Sequence, residues 1–260
     1  MSVPALAVSG LTVDFGGLRA LDNASLQVEE GACVALIGPN GAGKTTLFDA
    51  VTGITPPHNG HVEILGKDVD GWPLHRRARL GVGRTFQRLE LFGSLTVTDN
   101  LIVAIESQGD SGGLAAELMR RSAALAVRRR AETRAGELLE LTGLHELAGA
   151  RAGELPMGHA RTLELARTLA TNPKLLLLDE PSSGLNDPET EALAALLKRL
   201  QAERELSMLI VEHDMNFVLP LSDRVYVLDF GRVVAHGTPD EIRKDAVVQA
   251  VYLGEEFAAS

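Results

Sequence analysis

Cys33-Val34-Ala35-Leu36-Ile37-Gly38-Pro39-Asn40-Gly41-Ala42-Gly43-Lys44-Thr45 is the stretch on which the fold turns. Its first five residues are apolar without alternation, as in a strand buried on both faces of a covered sheet. The next eight hold three glycines and a lysine, and from Lys44 to Val51 the spacing becomes helical. Strand, glycine-rich turn and helix in that order suit a loop that holds phosphate. Glycines let the backbone curl until successive N–H groups converge, and the helix adds the positive end of its dipole. Gly38 to Thr45 satisfies GxxxxGK[ST] in full, a pattern that average composition produces in roughly one chain in a hundred of this length. A plain glycine-rich surface turn is the alternative, and the flanking strand and helix count against it. Lys44 can reach terminal phosphates and the Thr45 hydroxyl can hold Mg²⁺. Gly38, Pro39, Asn40, Gly41, Ala42, Gly43, Lys44, Thr45 and the adjoining Thr46 are the candidate phosphate-binding run. With no ligand in place, the Lys44 side chain is expected to be exposed.

Outward from this loop the chain alternates strand and helix patterns. Ala5 to Phe15 and Ala24 to Val28 alternate as strands, with Gly16-Gly17 and Glu30-Gly31 as turns. His61 to Leu65 follows a Pro/Asn/Gly break. Leu175 to Leu178, Ser207 to Val211 and Arg224 to Leu228 read as further strands, and Glu189 to Arg204 as an amphipathic helix. Thr238-Pro239-Asp240-Glu241 is a helix start, with Thr as N-cap, Pro at N1 and Glu at N3. Between them, about Ser94 to Arg167 is rich in Ala, Leu, Glu and Arg at helical spacing. Leu138, Leu139, Leu141 and Leu144 form its apolar face, and Gly109 to Gly113 reads as a mobile loop. The basic run Arg128-Arg129-Arg130 fits a solvated helix face better than a membrane patch, because Glu132 and Glu137 follow within two turns. The expected class is α/β, with a mostly parallel sheet covered by helices on both faces.

Composition narrows the partners. The chain has 260 residues, 45% of them hydrophobic, and a formal net charge of -10. An acidic chain argues against a nucleic-acid binder. Cys33 is the one cysteine, which rules out an internal disulfide and fits a reducing compartment. Met1 to Gly10 lacks the basic start of a signal peptide, and no apolar run approaches the roughly 20 residues that span a bilayer. A membrane role would come through a partner.

A second motif carries chemistry. Leu175-Leu176-Leu177-Leu178-Asp179-Glu180 delivers two carboxylates at the C-terminal end of a buried strand, where ligands bind in open α/β sheets. Asp179 can hold the Mg²⁺ shell through water, and Glu180 can orient or deprotonate an attacking water. Alone, the pair would be an acidic turn; the upstream loop changes that. His213, in Val211-Glu212-His213-Asp214, follows its own apolar strand as Glu180 does. Gln87 stands in Arg84-Thr85-Phe86-Gln87. A lone His or Gln is more often a satisfied surface residue.

Together these motifs resemble the nucleotide-binding subunits of ABC transporters, along nearly the whole chain. The resemblance implies a RecA-like P-loop core, a small N-terminal antiparallel β subdomain and an inserted α-helical subdomain at 88–168, with 1–87 and 169–260 forming the rest of one ABC ATPase domain. It places Phe15 where an aromatic residue stacks on adenine, with an ordinary core aromatic as the alternative. It places Gln87 on the glutamine that senses metal and γ-phosphate, and His213 on the switch histidine. Ser183-Gly184-Leu185-Asn186 falls on the loop after the catalytic carboxylates, with Asn186 where many relatives have Asp. The signature motif departs from the family: LSGGQ-like sequences become Leu155-Pro156-Met157-Gly158-His159 here. Gly158 is kept as a nucleotide-contacting residue, whereas Pro156 supplies neither hydroxyl nor N–H. Phe15-Gly16-Gly17-Leu18-Arg19-Ala20, Gly83 to Gln87, Leu91-Phe92, Leu95-Thr96-Val97 and Val251-Tyr252-Leu253-Gly254-Glu255 resemble the ATPases of branched-chain amino acid importers, whose relatives serve urea or amides.

The resemblance implies an ATP-hydrolysing subunit with ATP and Mg²⁺ as cofactors. It would pair with a second ATPase subunit, identical or homologous, and with integral membrane permease subunits. A solute-binding protein would be an indirect partner, nucleic acid would not be one, and the location would be the cytoplasmic face of the cell membrane. A non-transport ABC ATPase is the rival, although such proteins usually carry two cassettes or a long coiled coil, and this chain has neither.

Overall fold

The structure, a computed structural model, describes residues 3–86, 89–107 and 114–258. Gln87 and the Gly109 to Gly113 loop lie outside the described residues. The chain divides into two compact units, Met1–Arg84 with Lys174–Ser183 and Thr190–Ser260, and Thr85–Pro173 with Gly184–Glu189. The spacing of helical residues predicts an insertion at 88–168; the observed unit begins three residues earlier, ends later and takes in 184–189.

The first unit contains two sheets. β1 (Leu6–Phe15), β2 (Leu18–Val28), β4 (Asn59–Ile64) and β5 (Lys67–Asp68) form a four-stranded sheet in the order β2-β1-β4-β5, whose pairs are all antiparallel. β3 (Cys33–Ile37), β6 (Val82–Arg84), β7 (Leu175–Asp179), β8 (Ser207–Val211), β9 (Arg224–Asp229) and β10 (Arg232–Gly237) form the six-stranded sheet β10-β9-β3-β8-β7-β6. Only the β9–β10 hairpin is antiparallel in it. Every residue of β3, β7 and β8 is buried, which accounts for the apolar runs Cys33–Ile37, Leu175–Leu178 and Met208–Val211. The helices of this unit are α1 (Lys44–Thr52), α2 (Leu74–Leu80), α6 (Asp187–Arg204, whose first residues belong to the second unit), α7 (Met215–Val218), α8 (Pro239–Lys244) and α9 (Ala246–Ala258). The capping box expected at Thr238 and Glu241 is present.

The second unit is helical, built on α3 (Val97–Glu106), α4 (Leu114–Thr142) and α5 (Met157–Ala170). Leu138 and Leu139 are buried on α4 and Leu141 is half-buried. Leu144 is also buried, but it lies past the helix end. Gly143 turns left-handed there (φ 73), and the Leu144 N–H donates back to the Leu139 carbonyl at 2.9 Å. The Arg128 guanidinium pairs with Glu132 at 3.1 Å on an exposed face, the solvated helix that the sequence suggests.

Arg77 on α2 closes the far end of α1. Only 3% exposed, it donates from Nη1 to the carbonyls of Ala50 and Val51 at 2.9 and 2.7 Å, and from Nε to that of Trp72 at 3.0 Å. The first two belong to the last turn of α1, where carbonyls run short of intrahelical partners, although that of Ala50 also accepts the Gly53 N–H at 3.2 Å. Arg77→Ala should therefore destabilise the chain by about 2–4 kcal/mol in urea unfolding, with Arg77→Lys recovering part of the loss. An unchanged midpoint for Arg77→Ala would mean that the α1 carbonyls find other donors.

Candidate active site

Strand register assembles the site. β3 and β8 pair Leu36 with Val211, and β7 and β8 pair Asp179 with Val211, so the C-terminal ends of three central strands lie in line. Gly38 follows one strand, Glu180 the second, and Glu212 and His213 the third. The loop at Gly38–Lys44, the carboxylates and the histidine therefore share one sheet edge, where the sequence motifs placed them.

Two of the three loop glycines are there for close approach. A Cβ on Gly38 would lie 2.0 Å from the Leu228 carbonyl oxygen, and one on Gly43 would lie 2.5 Å from that of Ala20. Gly43, at φ 105, is also the N-cap residue of α1, with no side-chain cap. The first turn of α1 thus begins with no side chain over its N–H groups, the arrangement that receives an anion. Asn40, Gly41 and Thr45 are exposed, Pro39, Gly43 and Thr46 are half-buried, and Gly38 and Ala42 are buried.

Lys44 corrects the expectation that it lies exposed. It is 7% exposed, and its Nζ donates to the carbonyls of Gly38 and Pro39 at 2.6 and 2.9 Å. The loop wraps its own carbonyls around the ammonium, which satisfies the charge in a buried position.

Asp179, the last residue of β7, is 3% exposed. Burial pushes its carboxyl up from the ordinary carboxylate range, and the Arg84 guanidinium pulls it partly back. Arg84, at the end of β6, is held at 2.6 Å from Asp49 on α1 and 3.3 Å from Asp179, and donates to the Thr52 hydroxyl at 3.2 Å. The motif around Gln87 contains Arg84 without indicating this role, because β6 is only three residues long and carries little pattern of its own. Glu180 is half-buried and sits at φ 48, uncommon for a residue with a side chain, with its N–H donating to the Val211 carbonyl at 2.9 Å. His213 is exposed, and beneath it Glu212 is fully buried, also without a role foreseen from sequence.

Phe15 ends β1 beside the Gly16-Gly17 turn and is 51% exposed, so it is not a core aromatic. A ring this open is available to stack. The Thr45 hydroxyl and Asp179 carboxylate are hard oxygen donors, a set that suits Mg²⁺.

In the second unit, the buried pair of Arg161 and Glu164 (3.2 Å) holds Phe86, the residue before Gln87, from both sides. Arg161 donates to the Phe86 carbonyl at 3.3 Å, and the Phe86 N–H donates to Glu164 at 3.4 Å. Pro156 is the N-cap of α5, without a side-chain cap, and its carbonyl accepts the Ala160 N–H at 2.9 Å. A Cβ on Gly158 would lie 2.5 Å from the Glu189 carboxylate, so packing favours glycine there. Glu189 and Asn186 exchange hydrogen bonds of 3.0 Å in each direction, a capping box that starts α6 ahead of the expected Glu189.

The Lys44 geometry sets a test. Lys44→Ala should weaken ATP binding by about ten- to a hundredfold, the size of one lost charge-assisted contact. It should also lower the melting temperature by a few degrees, because the Gly38 and Pro39 carbonyls lose their donor, while the chain stays folded. Titration with ATP and a thermal melt read the two effects; near-normal affinity would remove Lys44 from phosphate binding.

Comparison with known proteins identifies the family. Residues 21–183 match the family described as ABC transporter, and residues 232–258 match that described as branched-chain amino acid ATP-binding cassette transporter. The chain is 44% identical over 255 residues to the high-affinity branched-chain amino acid transport ATP-binding protein BraF of Pseudomonas aeruginosa, covering 98% of this chain and 100% of that protein. It is equally similar, at 44% over 255 residues with the same coverage, to LivG of Salmonella typhimurium, a protein of the same description. The crystal structure of the ADP conformation of MJ1267, an ATP-binding cassette of an ABC transporter, superposes with a TM-score of 0.83 at 28% identity, covering 97% of this chain and all of that one. With its glycine-rich loop, paired carboxylates and His213 on one sheet edge, the chain belongs to the ABC transporter family as one of its ATP-binding, ATP-hydrolysing subunits.

Proposed function

We propose that this subunit powers import of branched-chain amino acids. The identity to BraF and LivG along almost the whole chain supports the substrate class, and the C-terminal match at 232–258 supports the same branch. The observation that carries the chemistry is the line of Leu36, Val211 and Asp179, which brings the phosphate loop and Glu180 to one edge.

Each residue of the site takes its own role. Phe15 stacks on adenine. The N–H groups of Gly38 to Thr46 and the Lys44 ammonium hold the phosphates, and Lys44 exchanges its loop carbonyls for phosphate oxygens as nucleotide enters. Thr45 and Asp179, with Gln87, would hold Mg²⁺, which would neutralise negative charge on the phosphates. Glu180 orients and deprotonates the attacking water, and His213 contacts the γ-phosphate. Catalysis is positioning and charge stabilisation for phosphoryl transfer to water.

Gly158 and the N-terminus of α5 serve the nucleotide of a second ATPase subunit. That partner's signature loop closes in turn over the nucleotide held here. Closure is passed to integral membrane permease subunits, and through them to a solute-binding protein. Among the described residues no helix is long and apolar enough to cross a membrane, so attachment to the cytoplasmic face runs through the permease.

Because Pro156 leaves α5 uncapped, the composite site closed by this chain's signature loop is the weaker one, which favours assembly with a related ATPase that carries an intact motif. The isolated chain is a monomer with weak ATPase activity.

Two sets of substitutions test this. Glu180→Gln should keep ATP affinity, slow hydrolysis by about 10²–10⁴-fold and accumulate an ATP-bound dimer; unchanged turnover in the assembled transporter would remove Glu180 from the mechanism. The double substitution Pro156→Ser, His159→Gln should raise turnover in the full complex, since a serine at the N-cap adds an acceptor for the helix and a hydroxyl for the phosphate. If ATPase rate and ATP-driven dimerisation both stay the same, the loop is a neutral variation. Co-purification with permease subunits and ATP-dependent uptake of labelled leucine into vesicles test the transport assignment; co-purification with uptake of urea instead would reassign the substrate.

A further inference from the structure

Glu212 is a carboxylate placed where a carboxylate is costly. It follows β8, its side chain is fully buried, and its neighbour His213 is exposed. Each of its oxygens serves a different loop. Oε1 accepts the Ser182 N–H at 2.9 Å and the Ser182 hydroxyl at 2.5 Å. Oε2 accepts the N–H groups of His213 at 3.0 Å and Asp214 at 3.4 Å, and lies 3.7 Å from the His213 Nδ1.

Ser182 stands two residues after Glu180, in a turn where the Ser183 N–H donates to the Glu180 carbonyl at 3.1 Å. Asp214 caps α7, its carboxylate accepting the Asn216 and Phe217 N–H groups. One buried carboxylate thus joins the turn that carries Glu180 to the loop that carries His213. Each side presents at least one backbone N–H, which a carboxylate oxygen accepts and an amide NH₂ cannot, so an acid fits better than an amide. A glutamine has one acceptor oxygen, and its NH₂ would face the N–H groups of whichever loop the oxygen does not serve.

We propose that Glu212 is a positioning residue that locks the Glu180 turn and the His213 loop into one body, so that the water-activating and γ-phosphate-contacting groups keep a fixed spacing. This rests on the roles given to Glu180 and His213 above. The tie matters because Glu180 occupies a left-handed backbone position that its surroundings must enforce. A small displacement of a group that orients the nucleophile is costly, on the order of a hundredfold in rate for about 1 Å.

The test uses the full-length chain, with single-turnover ATP hydrolysis, ATP titration and amide hydrogen exchange. Glu212→Gln should slow hydrolysis on the order of 10- to 100-fold while ATP affinity changes less than about threefold. Exchange should rise at Ser182, His213 and Asp214 together and stay unchanged in the β1–β2 hairpin. Ser182→Ala removes the hydroxyl but keeps the N–H, so its effect should be smaller. The double variant should be no slower than Glu212→Gln alone, because both act through one contact. Unchanged hydrolysis in Glu212→Gln, or effects that multiply in the double variant, would overturn the tie. Should Glu212→Gln fail to fold, Ser182→Ala and Ser182→Gly carry the measurement: slowed hydrolysis with raised exchange at His213 and Asp214 supports the tie, and slowed hydrolysis without it does not. Glu180→Gln is run alongside. If it too hydrolyses normally, the roles assigned to the site fail; if it is inactive while Glu212→Gln is not, only the tie fails.

Discussion

The parallel pairing of β8 with β3 on one side and β7 on the other sets everything else in place. Val211 faces Leu36 across one ladder and Asp179 across the other. A slip of one residue in either ladder would turn every side chain of that strand to the opposite face. In the central strands both faces are buried, so such a slip would still bury apolar residues, and the register needs other pins. They lie just past the strand ends: the Glu180 N–H on the Val211 carbonyl, the Glu212 N–H on the Leu36 carbonyl, and the Glu212 carboxylate on Ser182. The polar groups that shape the site are also the groups that fix the sheet beneath it.

How much of this was legible depended on the kind of signal. Cys33–Ile37 and Leu175–Leu178 are unbroken apolar runs, and their reading as covered strands holds in the structure, as does the reading of Ser207–Val211 as a strand. β6 and β10 were not read as strands. The first is three residues long, and the second lies at the sheet edge with alternating exposed and half-buried residues. Such strands carry little hydrophobic pattern, and their pairing comes from tertiary context. The start of β2 escaped for the same reason, since Leu18 and Arg19 are exposed. The positions of the P-loop, Asp179, Glu180 and His213 follow from local motifs. The work of Arg84 and Glu212 does not, because each acts across strands far apart in sequence. Burial of Lys44 could not be read either, for it depends on where two loop carbonyls point.

Charge in this region is balanced locally, group by group. Arg84 stands between Asp49 and Asp179, Lys44 is held by carbonyls, and Glu212 is held by N–H and hydroxyl donors. Arg84 and Lys44 place positive charge near a site meant for a highly negative ligand, while Asp49, Asp179 and Glu212 are each fixed by specific bonds. A buried ion is tolerated when its bonds are made, and here they are made by backbone as often as by opposite charge.

The neighbours of β3 have a further implication for how the chain is made. Its two partners in the sheet, β8 and β9, both come from beyond residue 206, and the carbonyl that fills the space beside Gly38 belongs to Leu228. The Gly231 N–H reaches back to the Ala42 carbonyl. On a ribosome, the nucleotide-binding peptide emerges early and then waits, without its flanking strands, while the helical segment and most of the C-terminal half are translated. The cradle takes its final form only once the β9–β10 hairpin is out. A truncated product ending before that hairpin keeps the full consensus peptide and lacks the walls that give it shape, so an incomplete subunit has no competent site with which to occupy a transporter.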